Sequence, residues 1–234
     1  NLHHPLNLEV IGAEAQHDNM QSAAYRVIWG FLRKCPASKV RFCIFDPKEG
    51  GGSVRMLSNF VNKMPDSYKK AVTQMSRTEE LLSCLKELEG QTLDFIRDRP
   101  DYDDLLDYNA HNPRRTEAIT LLMLYDFPLN ADARCLELLS SVMQKGNKCG
   151  IYVVLCRNTA VEVASSYDHI DEKLAELEKN CVQIECEENG FALLPYHLSV
   201  RLIEKPDAGQ LEKFAVEYHK AVEKLSAQSI HFEE

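Results

Sequence analysis

Asp126 has the best placement for chemistry of any residue in the chain. It closes the run AITLLMLYDFP, residues 118–128. A continuous apolar stretch of that kind forms a strand covered on both faces of a parallel sheet. Ligands of open α/β sheets sit at the C-terminal strand ends. An acid there can hold magnesium through water, and a following Glu can polarise the attacking water. Here the next residues are Phe127 and Pro128, so the acid stands alone. The competing role is a cap on the turn into the next helix. That role is favoured because no lysine partner is evident, the first lysine of the chain being Lys34.

A phosphate-binding loop needs glycines whose backbone N–H groups close around a phosphate, then a lysine and a Ser or Thr. The segment from Gly12 to Tyr25 follows a first strand and precedes a helix, which is the right place. It contains one glycine, no lysine, and the acids Glu14 and Asp18. Carboxylates beside a triphosphate in a partly desolvated pocket repel it. The expectation is therefore that ATP with magnesium binds weakly here or not at all. KEGGGS, residues 48–53, follows the second strand instead of the first and lacks a Lys-Ser/Thr ending, so it reads as a flexible loop. Arg157-Asn158 ends the strand CGIYVVLCRN, where a γ-phosphate sensor could sit, although a polar pair at a strand end is commonly just solvated. The eight histidines show no metal-ligand spacing, and His3-His4 reads as terminus or tag. The eight cysteines contain no C-x-x-C, so no zinc site is expected, and they read as free thiols of a reducing compartment. No catalytic acid–base or nucleophile constellation is evident.

These residues need a frame, and the apolar pattern supplies one. NADARCLELLSSVMQKGNK joins the two apolar runs as a helix, capped by Asp132 or Asn130 and closed by Gly146, which makes a βαβ unit. Upstream, Leu6 to Ile11 form a strand ending at Gly12, AEAQHDN is a polar loop, and MQSAAYRVIWGFLRK is a helix. VRFCIFDP is the second strand. Residues 54–75 offer a short helix and a short strand, YKKAVTQM. Ser76 with Glu79 forms a capping box for the helix that carries Leu81, Leu85 and Leu88. A short helix ends near Tyr108-Asn109. After Asn158 come a helix from about Asp168 to Lys179, a hairpin turning at Glu188-Asn189-Gly190, and a helix opened by Pro206, with QSIHFEE as a linker. The fold class is α/β, a mostly parallel central sheet with helices on both faces and a small β-hairpin near the C-terminal end.

Of the 234 residues, 44% are hydrophobic and 27% charged, and the net charge is −9. Such an acidic chain is a poor DNA binder, because gripping a phosphate backbone needs excess Lys and Arg. No apolar run is long enough for a transmembrane helix, and no secretory signal is present. The chain opens without a cap or a tail, as an excised piece of a longer protein would.

With the pieces in place, the chain resembles the FtsK/SpoIIIE-type P-loop ATPase domains of the FtsK–HerA group. The resemblance rests on VRFCIFDPK, GQTLDFIRDR with DYNA, LLMLYDFP and QKGNKCGIYVVLCRN, in that order, over residues 5–205. It implies a P-loop NTPase (RecA-like) frame at 1–205, with 206–234 a C-terminal helix and linker to a following domain. It implies a degenerate nucleotide site at Gly12, Asn19, Gln21, Asp126 and Arg157, without the family's Lys-Ser/Thr loop or catalytic Glu. Such chains are similar to the degenerate ATPase modules strung in series in type VII secretion ATPases. The implied partners are neighbouring ATPase domains or subunits of a cytoplasmic assembly. The implied role is non-catalytic, and the alternative is a translocase motor domain completed by a neighbouring subunit.

Overall fold

The computed structural model describes residues 7–48, 52–161, 170–188 and 190–230. Strand β1 (Asn7–Gly12) leads through residues 13–16 into α1 (His17–Lys34), and β2 (Val40–Phe45) follows. Then come α2 (Gly52–Val61), the single turn α3 (Asp66–Lys69), β3 (Val72–Met75) and the long α4 (Thr78–Asp98). Next are α5 (Leu105–His111), β4 (Ile119–Phe127), α6 (Ala133–Lys145) and β5 (Ile151–Asn158). The chain continues through α7 (Ile170–Glu178), β6 (Cys181–Glu187), β7 (Gly190–Leu193), β8 (Leu198–Val200) and α8 (Ala208–Ile230).

The strands form one sheet in the order β3-β2-β4-β5-β1-β6-β7-β8. From β3 to β6 all neighbours are parallel, whereas β7 and β8 are antiparallel additions at one edge. This is the expected α/β class, hairpin included. The apolar run of β4 is continuous because both faces are covered. Leu121, Met123 and Tyr125 pack under α1, α2 and α8, while Leu122 and Leu124 pack under α4, α6 and α7. Strand alternation divides one sequence run between two cores. In α8, Ala215, Tyr218 and Val222 enter the first of these cores, and the Tyr218 hydroxyl donates to the Tyr68 hydroxyl at 3.1 Å.

Several expected boundaries move. Helix α1 begins at His17, so the last three residues of the polar stretch expected as loop are helix. The box that opens α4 uses Glu80 instead of Glu79: its Oε2 accepts from the backbone N–H groups of Ser76 and Arg77 at 3.0 and 3.2 Å. Glu79 is one residue short of the position that faces back to the cap. Asp132, not Asn130, caps α6, accepting from Cys135 N–H at 2.7 Å. Gly146 stays right-handed and continues into a 3-10 turn; the left-handed stop is Gly150, at φ 75°. Tyr68 and Lys69 belong to α3, which shortens the expected strand to Val72–Met75. Helix α5 reaches His111, and α8 runs to Ile230 through part of the segment read as a linker. Asp207 opens α8: its Oδ1 accepts from Gln210 N–H at 2.7 Å, and the Gln210 side chain accepts from Asp207 N–H. Leu6, the middle of the Gly-rich loop (49–51), Asp168, Asn189 and the last four residues lie outside the described residues.

Helix α1 leaves β1 on one face of the sheet, and α6 leaves β4 on the other. The crevice at the C-terminal ends of β1, β4 and β5 is thus the place where this architecture positions functional groups.

Candidate functional site

The last two residues of β4 are built differently from the rest of the strand. Leu124 pairs with Leu155 and Phe127 with Arg157, so three steps on β4 oppose two on β5. The extra residue makes a bulge, and Asp126 takes a left-handed backbone at φ 49°. Asp is among the few residues that tolerate that conformation. The consequence is directional. Phe127 takes the place on the α6 side that simple alternation would give to residue 126. Asp126 is freed to face the β1–α1 junction, and bulges beside functional sites re-aim side chains in this way.

Asp126 meets a lysine there. Lys48 Nζ donates to Asp126 Oδ1 at 2.9 Å and lies 3.6 Å from Glu14 Oε2. Asn158, at the end of β5, donates through Nδ2 to Glu14 Oε2 at 2.6 Å and to Asp126 Oδ1 at 3.1 Å. The Asn158 Oδ1 accepts from Ala160 N–H at 3.0 Å, so this buried amide is used at both ends. The Asp126 side chain is 2% exposed, and that of Lys48 is 43% exposed. His17 Nδ1 is buried, 4.0 Å from Asp126 Oδ1, and has no hydrogen-bond partner among the described residues. The hydrogen bond to Asp126, with the charges of Asp126 and Glu14, holds the Lys48 ammonium above its usual range. The amide of Asn158, then the charge of Lys48, holds the Glu14 carboxyl below the usual carboxylate range.

The expectation that Asp126 has no lysine partner is thus corrected. Lys48 comes from the loop after β2 and not from the one after β1. All strands from β3 to β6 are parallel, so the loop after β2 ends on the same edge of the sheet as β1 and β4. The signal in the sequence was DPK directly after an apolar strand. Asp126 is not the helix cap either, since that role falls to Asp132.

The link after β1 is a single turn. Residues Glu14–Gln16 form a 3-10 turn, Gln16 N–H donates to the Ala13 carbonyl, and Ala13 N–H donates to Gln16 Oε1, both at 2.9 Å. Gly12 ends β1 where a Cβ would lie 3.1 Å from Met20 Cγ, so its smallness serves the close approach of α1. The Gly12 carbonyl accepts from Thr159 N–H at 2.9 Å. Asn19 and Gln21 lie inside α1, where Asn19 Nδ2 donates to the Glu187 carbonyl at 2.9 Å and thereby ties α1 to β6.

Arg157 points to the opposite face of the sheet from Asn158, as adjacent strand residues do. It pairs with Glu178 of α7 and lies 3.5 Å from Glu9 Oε1. Glu9 is 1% exposed. Burial pushes its carboxyl up, and the Gln183 amide and Arg157 partly offset this. Of the five residues expected at the site, Gly12 and Asp126 lie at the crevice, Asn19 and Gln21 lie within α1, and Arg157 lies on the opposite face of the sheet beside Glu9 and Glu178. Glu14, His17, Lys48 and Asn158 complete the cluster.

The resemblance stated from the sequence implies a magnesium–triphosphate at this crevice. The residues here do not fit one. A phosphate cradle needs several free N–H groups converging on one point, and the 13–16 turn is too short to provide them. Glu14 and Asp18 place negative charge at the α1 N-terminus, where the helix dipole favours an anion. The position next to Asp126 that a cation would take is filled by the chain's own ammonium.

Comparison with solved structures places the fold. The chain is similar to EssC (ATPases 2 and 3) from Geobacillus thermodenitrificans, with a TM-score of 0.58 and 12% identity, over 94% of this chain and 44% of that one. It is similar to Thermomonospora curvata EccC (ATPases 2 and 3) in complex with a signal sequence peptide, with a TM-score of 0.53 and 15% identity, over 93% and 42%. The pCW3 conjugation coupling protein TcpA with ATPγS aligns at a TM-score of 0.52 and 12% identity, over 77% and 48%. The chain therefore has the fold of these ATPase domains and spans less than half the length of each. No protein-family model matches the chain, and no curated protein does. Among the described residues no helix is long and apolar enough to cross a membrane.

Proposed function

We propose that this chain is a non-catalytic FtsK/SpoIIIE-type ATPase module of a larger secretion-type or translocase-type protein, acting as a structural, regulatory or docking unit for neighbouring ATPase domains. The observation that carries this reading is the Lys48 ammonium seated on Asp126 and beside Glu14. It neutralises the acids from within the chain, where an active site would leave them for a metal and its nucleotide. The multi-domain character of the structural neighbours supports the docking role, and the T. curvata EccC complex supports contact with a polypeptide. The net charge of −9 argues against DNA as the ligand of this module.

The test is calorimetric titration of the purified chain with ATP and magnesium. The expected outcome is no saturable heat at millimolar nucleotide. A micromolar Kd overturns the reading.

A second reading has one observation in its favour, the presence of a lysine in the crevice at all. In it Lys48 leaves Asp126 on nucleotide binding and contacts the phosphates, and a neighbouring subunit supplies the remaining catalytic groups. It predicts saturable binding that Lys48→Met abolishes, and hydrolysis only in the assembled protein. Binding that survives Lys48→Met excludes it.

A further inference from the structure

Away from the crevice, the sheet ends at β3. Phe42 N–H donates to the Ala71 carbonyl and Asp46 N–H to the Met75 carbonyl, both at 2.8 Å. Between them the register runs unbroken from Phe42 opposite Val72 to Phe45 opposite Met75. In a parallel ladder alternate residues bond the same neighbour. Ala71, Thr73 and Met75 therefore turn their backbone groups to β2. Val72 and Gln74 turn theirs outward, where no strand of the described residues meets them. Strand β3 has no proline, no bulge and no charged side chain, the devices that commonly close an edge. The Gln74 side chain does not cover the edge either, since its Nε2 donates to Ser58 Oγ at 2.6 Å.

Beside this edge the floor of the sheet is open. Phe45 and Met75, at the C-terminal ends of β2 and β3, are buried with Leu81 and Leu85 of α4. Further down the strands Arg41 and Thr73 are exposed, and with α4 they line a groove of about 1130 Å³. The helix lines it with a polar stripe at helical spacing, Ser83, Glu87, Gln91, Asp94 and Asp98. The acids of that wall are answered from within the chain. Arg97 pairs with Asp94 at 2.8 Å and with Asp98 at 2.7 Å, and Glu87 accepts from the Gln91 amide at 3.0 Å. Arg99 pairs with Glu117. The cations of the floor have no acid. Lys39 Nζ donates to the Thr116 carbonyl at 2.6 Å, a neutral acceptor. Arg41 and Lys70 also line the groove and make no hydrogen bond or ion pair with the described residues. The charge left over beside the free edge is positive.

We propose that the β3 edge and this groove take an extended polypeptide segment of a partner as an added strand, with an acidic residue turned toward Arg41 and Lys70. The outward backbone groups of Val72 and Gln74 supply the pairing, and the groove reads alternate side chains. Arg41 is in register with Ala71. The incoming residue beside Ala71 therefore lies two strand spacings from Arg41, about 10 Å. Arg and Glu side chains extended toward each other span that distance, and only the small Ala71 lies between. The next groove-facing residue sits beside Thr73 and suits another β-branched side chain. The one after sits beside Met75 and suits an apolar one. The groove face of the segment is thus acid, β-branched, apolar, at every second residue. Strand β2 separates this edge from the strands that end at the crevice, so the state of the crevice has no bearing on it.

The probes are short fluorescein-labelled peptides with Glu, Thr and Ile at the three groove-facing positions, one written for each strand direction. Each is titrated with the whole chain and read by fluorescence anisotropy. One of the two is expected to saturate with a micromolar Kd. Replacing its Glu by Lys weakens binding at least about tenfold, and Arg41→Glu does the same to the parent peptide. The Lys peptide regains affinity for the Arg41→Glu chain. N-methylation of the peptide amides that face β3 abolishes binding and leaves the protein untouched. Gln74→Pro, which removes only an outward N–H, abolishes it too. The proposal is overturned if neither peptide saturates at several hundred micromolar chain, if the N-methylated peptide binds as well as its parent, or if the charge exchange restores nothing. It is also overturned if sedimentation shows a dimer of the chain that Gln74→Pro dissolves, since a second copy is then the occupant. The peptide variants decide these points even where a variant of the chain does not fold.

Discussion

Lys48→Met isolates the contact on which the functional reading rests. Methionine keeps an unbranched apolar stem and removes the charge. At 2.9 Å, and with an effective dielectric of about 20, the attraction between Lys48 and Asp126 is roughly 6 kcal/mol. Most of this is offset, because Asp126 has given up its hydration and the half-exposed Lys48 remains screened by water. The net value of a charge-assisted hydrogen bond is about 1.5–3 kcal/mol. Asn158 still donates to Asp126 in the variant, so the loss falls in the lower part of that range, about 2 kcal/mol. For a chain of this size that lowers Tm by about 4–8 °C. Asp126→Asn is the matching single change, since Asn also tolerates the left-handed backbone at φ 49°. The double variant should regain part of the loss, because removing both partners of a buried pair costs less than stranding one. Urea unfolding followed by the fluorescence of Trp29, the chain's one tryptophan and buried against Phe214, measures all four corners of the cycle. The expected coupling is about 1.5 kcal/mol. A coupling below about 0.5 kcal/mol would mean that Lys48 does not sit on Asp126 in solution, and the functional reading would lose its support.

Arg157→Ala leaves the buried Glu9 with only the Gln183 amide and should cost about 2–3 kcal/mol of stability, seen as a lower urea midpoint, while leaving any nucleotide titration unchanged. A selective loss of nucleotide binding would instead restore Arg157 to the site. Glu80 gives a pH test. Backbone hydrogen bonds from Ser76, then the Arg77 side chain and backbone, lower its carboxyl from an ordinary 4.5 to about 2. A group lowered by folding stabilises above its unfolded pKa, and that contribution is lost as pH falls through the folded value. Glu80→Gln should therefore lower Tm at pH 7, and the gap to wild type should close between pH 4.5 and about 2. A gap that stays constant with pH refutes the charged capping role.

Much of the frame is legible in the residue pattern. The run 118–128 had to be a doubly covered strand, and alternation divides its side chains between two cores. The absence of lysine from Gly12 to Tyr25 is likewise a property of the sequence alone, true in any register. Cap positions were harder. Glu79 and Glu80 are chemically equal in the sequence, and only the exit angle of the chain from β3 decides which one turns back to the backbone. The start of α1 is hidden in the sequence because Gln16, a weak cap by type, closes the turn through its amide.

The site divides along the same line. Sequence alone determined that Asp126 ends a buried strand, that no Glu follows it, and that the first loop carries acid where a phosphate loop carries lysine. These are local facts, set by residue type and adjacency. Tertiary structure alone decided that Lys48, 78 residues before Asp126, closes on it. It also decided that Asn158 and not Arg157 faces the crevice. The physical reason is that a parallel sheet gathers the ends of distant strands on one edge, and a one-residue bulge chooses which side chain turns toward them. Neither the strand order nor the bulge is encoded in any short stretch of residues.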